Sequence, residues 1–125
     1  MPAEPASMLV LAGQALFGGA FIFAAARNMA NVAVLTQVMA GRGVPFTQPL
    51  LFAGIALQLV AGILLFVGAW TPFAAAALVL FLLVATPMFH NFWDHDGVER
   101  ANRINGVVAN VALAGGLLVM MAGAA

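Results

Sequence analysis

An all-α membrane protein is the fold class that this sequence predicts: a four-helix transmembrane bundle with a short interfacial or re-entrant helix between spans 1 and 2. Three observations predict it. The chain of 125 residues is 65% hydrophobic and only 6% charged, where a soluble domain carries roughly 25% charged residues. Four apolar runs each approach the roughly 20 residues that a helix needs to cross a bilayer. The eight charges fall at the ends of those runs or between them. Four acids and four arginines cannot cover a surface against water, so lipid is the solvent. The length suits one domain, residues 1–125.

Composition also excludes whole classes of function. Formal net charge is zero, so there is no basic footprint for nucleic acid. Cysteine is absent, which removes disulfides, thiol chemistry, iron–sulfur ligation and cysteine-type zinc sites. No Ser-His-Asp set, phosphate-binding loop or dinucleotide fingerprint is visible.

The first span is expected over about 7–27. Ser7 can cap it, and Gly13, Gly18 and Gly19 give a face that lets another helix come close. The preceding Met1-Pro2-Ala3-Glu4-Pro5 lacks the basic region of a secretory signal, so this run is expected to be retained. Gln14 is its one strongly polar side chain. Residues 28–46 read differently: Met29, Val32, Leu35 and Met39 recur at helical spacing among Asn28, Asn31, Thr36 and Gln37. The segment is too short and too polar to span, which suits a helix at the interface. Gly41-Arg42-Gly43-Val44-Pro45 breaks it.

The second span covers about 50–69, with Gln58 near its middle, and Trp70 suits the headgroup belt. Thr71-Pro72 reads as a cap followed by proline at the first helical position, so spans two and three form a tight antiparallel hairpin. The third span, about 72–90, is apolar nearly all round except for Thr86, and Pro87 should kink or end it. Asp96-Gly97-Val98-Glu99 has capping-box spacing. It starts an amphipathic section that leads into the fourth span, about 104–122, which carries Asn105 and Asn110.

Arg27, Arg42, Arg100 and Arg103 all fall in or beside loops 27–49 and 91–103. The positive-inside rule puts these loops in the cytoplasm and both termini in the periplasm, for a multi-pass protein of the cell (inner) membrane. Counted from the outer ends, Gln14 is about seven residues in and Gln58 about ten, so both are expected roughly 10–15 Å deep. With Asn110 they could form a ladder of amides through the bundle.

The stretch Phe89-His90-Asn91-Phe92-Trp93-Asp94-His95-Asp96 holds both histidines and two of the four acids. His90 and Asp94 are four apart and share a face if helical. They could serve as a proton relay or as partners of a ligand headgroup. Alternatively, His90 satisfies a helix C-terminus, where the dipole also favours it. A metal site from His90, His95, Asp96 and Glu99 is a weaker reading than a solvated loop, and no metal centre is assigned. Haem held between two histidines does not fit, because both lie at one helix end. Trp93 reads as a belt residue or as one wall of a headgroup-level pocket. Gln14, Gln58 and Asn110 read either as glue between helices or as ligand contacts.

Together, Gly43-Val44-Pro45, Leu57-Gln58-Leu59-Val60-Ala61-Gly62-Ile63-Leu64-Leu65-Phe66-Val67-Gly68, Thr71-Pro72, His90-Asn91-Phe92-Trp93-Asp94 and Asn110-Val111-Ala112-Leu113-Ala114-Gly115-Gly116-Leu117-Leu118 resemble the DoxX family of small four-helix bacterial membrane proteins. The order and spacing carry the resemblance rather than any single piece. Members of the family usually have Arg in the first helix, Glu in the second and Lys just before the Asn of the fourth. Aligned by spacing, those places hold Gln14, Gln58 and Ala109, so neutral amides stand where a buried charge constellation is expected. The resemblance implies an accessory membrane subunit, not catalytic on its own, that partners an oxidoreductase linked to quinone or oxidative stress. Quinone is the cofactor it suggests. The candidate ligand residues are His90, Asn91, Trp93 and Asp94 at the inner interface, with Gln58, Asn110 and Gln14 deeper. The alternatives are a small-solute carrier or channel that uses the amides, or a structural protein that forms homo-oligomers.

Overall fold

The computed structural model describes residues 5–89 and 96–123, and among them every regular element is a helix. In chain order these are α1 (Pro5–Ala30), α2 (Val32–Gly41), α3 (Thr47–Val67), α4 (Thr71–Phe89) and α5 (Gly97–Gly123). Four of them are long and apolar enough to cross a membrane: Met8–Ala30, Thr47–Val67, Thr71–Met88 and Gly97–Ala122. At about 1.5 Å per residue each spans a hydrocarbon core of roughly 30 Å, or nearly so. The protein is therefore a multi-pass membrane protein, and α2 is the short extra helix between spans one and two.

Several ends differ from what local sequence signals suggest. Helix α1 already begins at Pro5, so Ser7 lies inside it rather than capping it. Pro87 stays within α4, which continues to Phe89. Thr71 is already helical, and Trp70 precedes it with a left-handed φ of 53°. The carbonyl of Trp70, at 3.0 Å, takes the N–H of Ala74. At the far end of that turn Gly68 is also left-handed, with φ 74°. There the N–H of Ala69 reaches back to the Leu64 carbonyl at 2.9 Å and closes α3. Gly68 to Trp70 thus join α3 and α4 in three residues. Trp70 and Phe73, both exposed, stack at 6.0 Å between centroids, as aromatic side chains at a membrane–water boundary do.

The bundle has two ends. At the turn end α3 passes into α4. At the other, α1 and α4 finish while α2, α3 and α5 begin, and Arg27, Arg42, Arg100 and Arg103 all belong to it. We call this the arginine end. Helices α1 and α3 run antiparallel in close contact, because Gly18 and Gly62 face each other. A Cβ on Gly18 would overlap the Phe66 backbone nitrogen and lie 2.5 Å from the Gly62 carbonyl oxygen. Small residues permit such approach, and in lipid the gain is van der Waals packing rather than hydrophobic burial. Around this contact sits the main core: Phe21, Ala61, Leu65, Ala75, Leu78 and Leu117. Leu65, Leu78 and Leu117 are fully buried. A second, smaller cluster at the arginine end packs Met39 of α2 against Ala25, Leu51 and Ile55.

Candidate functional site

Beyond the main core, toward the arginine end, the helices line an open-sided cavity of about 490 Å³. That volume is in the usual range for small-molecule sites. Every helix contributes to its wall. Phe21, Ala24 and Asn28 come from one stripe of α1, and Ile55 and Gln58 from α3. Phe81 and Met88 of α4, Asn110 and Leu113 of α5, and Leu35 and Met39 of α2 complete it. Among these lining residues none is ionisable, and the polar ones are three carboxamides: Asn28, Gln58 and Asn110.

Two of those amides meet directly. Asn28 Nδ2 donates to Gln58 Oε1 at 3.0 Å. Helical side chains lean toward the N-terminus of their own helix. In the antiparallel α1–α3 pair, Asn28 therefore leans toward the turn end and Gln58 toward the arginine end, and they close on each other. Asn110 Nδ2 donates at 3.0 Å to Thr86 Oγ1, tying α5 to α4 one residue before Pro87. Gln58 is 4% exposed. Among the described residues its hydrogen bond is the one its carbonyl accepts, so the Nε2 amide group is left for whatever occupies the cavity. Such a wall donates and accepts hydrogen bonds without changing charge.

Gln14 stands apart. It is buried, but its Oε1 accepts a hydrogen bond from Thr71 Oγ1 at 3.1 Å, at the first residue of α4. Its contacts with Thr71 and Gly68 place Gln14 at the level of the α3–α4 turn. Phe21, Ala61 and Leu65 of the apolar core lie between it and Gln58 along α1 and α3. The three amides therefore form two separate sites rather than one ladder. Ala109 is exposed and outside the cavity wall, while its neighbour Asn110 lines it. The candidate residues His90, Asn91, Trp93 and Asp94 lie outside the described residues, as does His95.

Sequence reading missed Asn28, taking it as one of the polar residues of the segment 28–46. It also missed Leu35, Met39, Phe81 and Met88 as pocket residues. The signal for Asn28 was its register: Phe21, Ala24 and Asn28 fall on one helical stripe. Nothing in the sequence marks that stripe as facing a cavity rather than lipid.

Comparison with known proteins gives one finding. The DoxX family model matches residues 9–91, well over half of the chain. It covers Gly43-Val44-Pro45, the 57–68 run and Thr71-Pro72, and stops short of the resemblance at 110–118. No curated protein and no solved structure matches the chain. With four spans in the expected order and this match across α1 to α4, the chain belongs to the DoxX family.

Proposed function

We propose that this protein is an accessory subunit of a membrane oxidoreductase system linked to quinone or oxidative stress. It contributes a small-ligand pocket rather than catalytic groups. The observation that carries the reading is the cavity of about 490 Å³, whose wall offers Asn28, Gln58 and Asn110 and, among the described residues, no ionisable side chain. A site of that chemistry can hold and orient a molecule such as a quinone ring, whose carbonyl oxygens accept hydrogen bonds. Proton transfer and electron transfer fall to a partner. His90, Asn91, Trp93 and Asp94 follow the cavity-lining Met88 closely in sequence, and we include them as the pocket's interfacial part. The arginine end then faces the cytoplasm and both termini the periplasm of the inner membrane. A carrier would need a polar path between Gln14 and Gln58, and the apolar core cluster lies there instead.

The test is co-purification from native membranes through an affinity tag. An oxidoreductase subunit should be recovered in fixed ratio, and deletion of the DoxX chain should lower that enzyme's quinone-dependent turnover. Recovery of the chain without any oxidoreductase would sink the partnership. Topology is checked by a C-terminal phosphatase fusion, which should be active in the periplasm.

A further inference from the structure

We propose that the cavity takes a neutral, membrane-dissolved amphiphile. Its head is held by the Gln58 amide nitrogen, and its apolar chain leaves sideways between α1 and α5. The proposal rests on the reading of the cavity as a ligand pocket and deepens it by naming the class of ligand and its route.

Neutrality follows from depth and composition. Gln58 lies at the middle of α3 (Thr47–Val67), and therefore near the bilayer centre. An unpaired charge there is costly, and among the described lining residues no arginine, acid or histidine is present to pair with one. A charged head at the level of Gln58 is thus disfavoured. A carbonyl or hydroxyl head is matched, because Gln58 Nε2 can donate while the Asn28 and Asn110 side-chain oxygens can accept.

The sideways route follows from the packing. Helices α1 and α3, α3 and α4, and α4 and α5 pack as neighbours. The first and last helices close the ring mainly near the turn end, where the Phe17 ring lies against Gly116. There an added Cβ would fall 2.6 Å from the ring. Toward the arginine end the cavity wall on this side is Ala20 and Ala24 of α1 with Asn110 and Leu113 of α5. Ala20 is at once a lining residue and exposed, as Leu50 of α3 and Val84 of α4 are, but only on the α1–α5 side do the flanking helices not pack closely along this level. At this depth the outside is lipid, so the gap opens onto acyl chains rather than water. At the turn end the fully buried Leu65, Leu78 and Leu117 stand in the way.

The test uses the whole chain in lipid nanodiscs and three probes of equal chain length. Two carry a photoreactive diazirine on the chain, a monoacylglycerol and an alkyl sulfonate. The third, an alkyl benzoquinone, is a competitor. The monoacylglycerol should label peptides containing Ala20, Ala24 and Leu113, at least tenfold above the sulfonate. Gln58→Met keeps the volume and removes the donor, and should lower labelling about tenfold, the worth of one buried hydrogen bond. Ala20→Phe fills the gap from an exposed position and should lower labelling as much, with the melting temperature unchanged. Competition by the quinone or by unlabelled monoacylglycerol tells which source of the carbonyl head fits better. Equal labelling by the sulfonate, or labelling indifferent to Gln58→Met, overturns the assignment of a neutral head. Labelling of the cavity that ignores Ala20→Phe overturns the sideways route alone. No cavity labelling by any probe overturns the pocket itself and with it the reading under Proposed function.

Discussion

The two ends of this bundle are built from the same few residue types, yet one is solid and the other hollow. At the turn end, three residues join α3 to α4, and Gly18 faces Gly62 with no room for a Cβ. Leucines and alanines fill what remains. At the arginine end the connections are longer, α2 is inserted, and the helices part around a cavity with amides on its wall. The comparison teaches that hydrophobicity does not decide which half of a membrane bundle closes. Lipid is as apolar as the core, so shape and connection length decide. The hydrogen bonds differ in setting. Gln14–Thr71 at the turn end is buried. Asn28–Gln58 is part-buried and stands on the cavity wall.

The comparison can be broken most severely at Gly18. A Gly18→Leu change must push α1 off α3, since the blocking atoms are backbone, and should cost about 3 kcal/mol or more. Unfolding in mixed micelles, followed by helical circular dichroism, should show little native protein. A melting temperature equal to wild type would show that the two helices do not touch as described. Next in size is a matched pair of truncations. Leu78→Ala, in the filled half, should cost about 2 kcal/mol because it opens a void. Leu113→Ala only enlarges an existing cavity and should cost less than about 1 kcal/mol. Equal losses in the same assay would mean the halves are packed alike.

Thr36 of α2 sharpens the contrast from the opposite side. Its hydroxyl oxygen is buried and, among the described residues, finds no hydrogen-bond partner. Thr36→Val keeps the shape and removes the orphan group, so stability should rise, by up to about 1 kcal/mol. A clear loss would reveal a partner. The smallest effect is expected for Gln14→Leu. Losing one interhelical hydrogen bond in lipid is worth roughly 0.6 kcal/mol. Binding of any cavity ligand should be unchanged in that variant. Weaker binding would mean that the two amide sites communicate after all.

Much of the fold was legible. Four apolar runs, the polar interleaving of 28–46 and the Thr71-Pro72 turn placed five helices in their order. Why the cavity was not legible is a matter of physics. In a water-soluble helix the apolar stripe reveals the buried face. Here Leu80 and Leu83 look outward while Leu78 and Leu82 look inward, all from one unbroken run, so periodicity carries no such mark. Gln58 stood out as a polar residue inside a span, and so did Gln14. Only the hydrogen bond from Thr71 reveals that Gln14 belongs to the turn end. Thr71 was read as a cap, whereas its hydroxyl serves Gln14 across the bundle. Asn110 and Thr86 were both visible as polar residues in their spans, but not as partners of each other. Each of these errors concerns which helix faces which, and sequence spacing within one helix does not report that.

The insertion of α2 has one more effect, on the membrane rather than on the protein. Its ten residues (Val32–Gly41) add a fifth helical segment to one end only, packed through Met39 on Leu51 and Ile55. The bundle is therefore one helix wider at the arginine end than at the turn end. A taper of that kind, lying within one leaflet, would displace unequal numbers of lipids from the two sides of a bilayer.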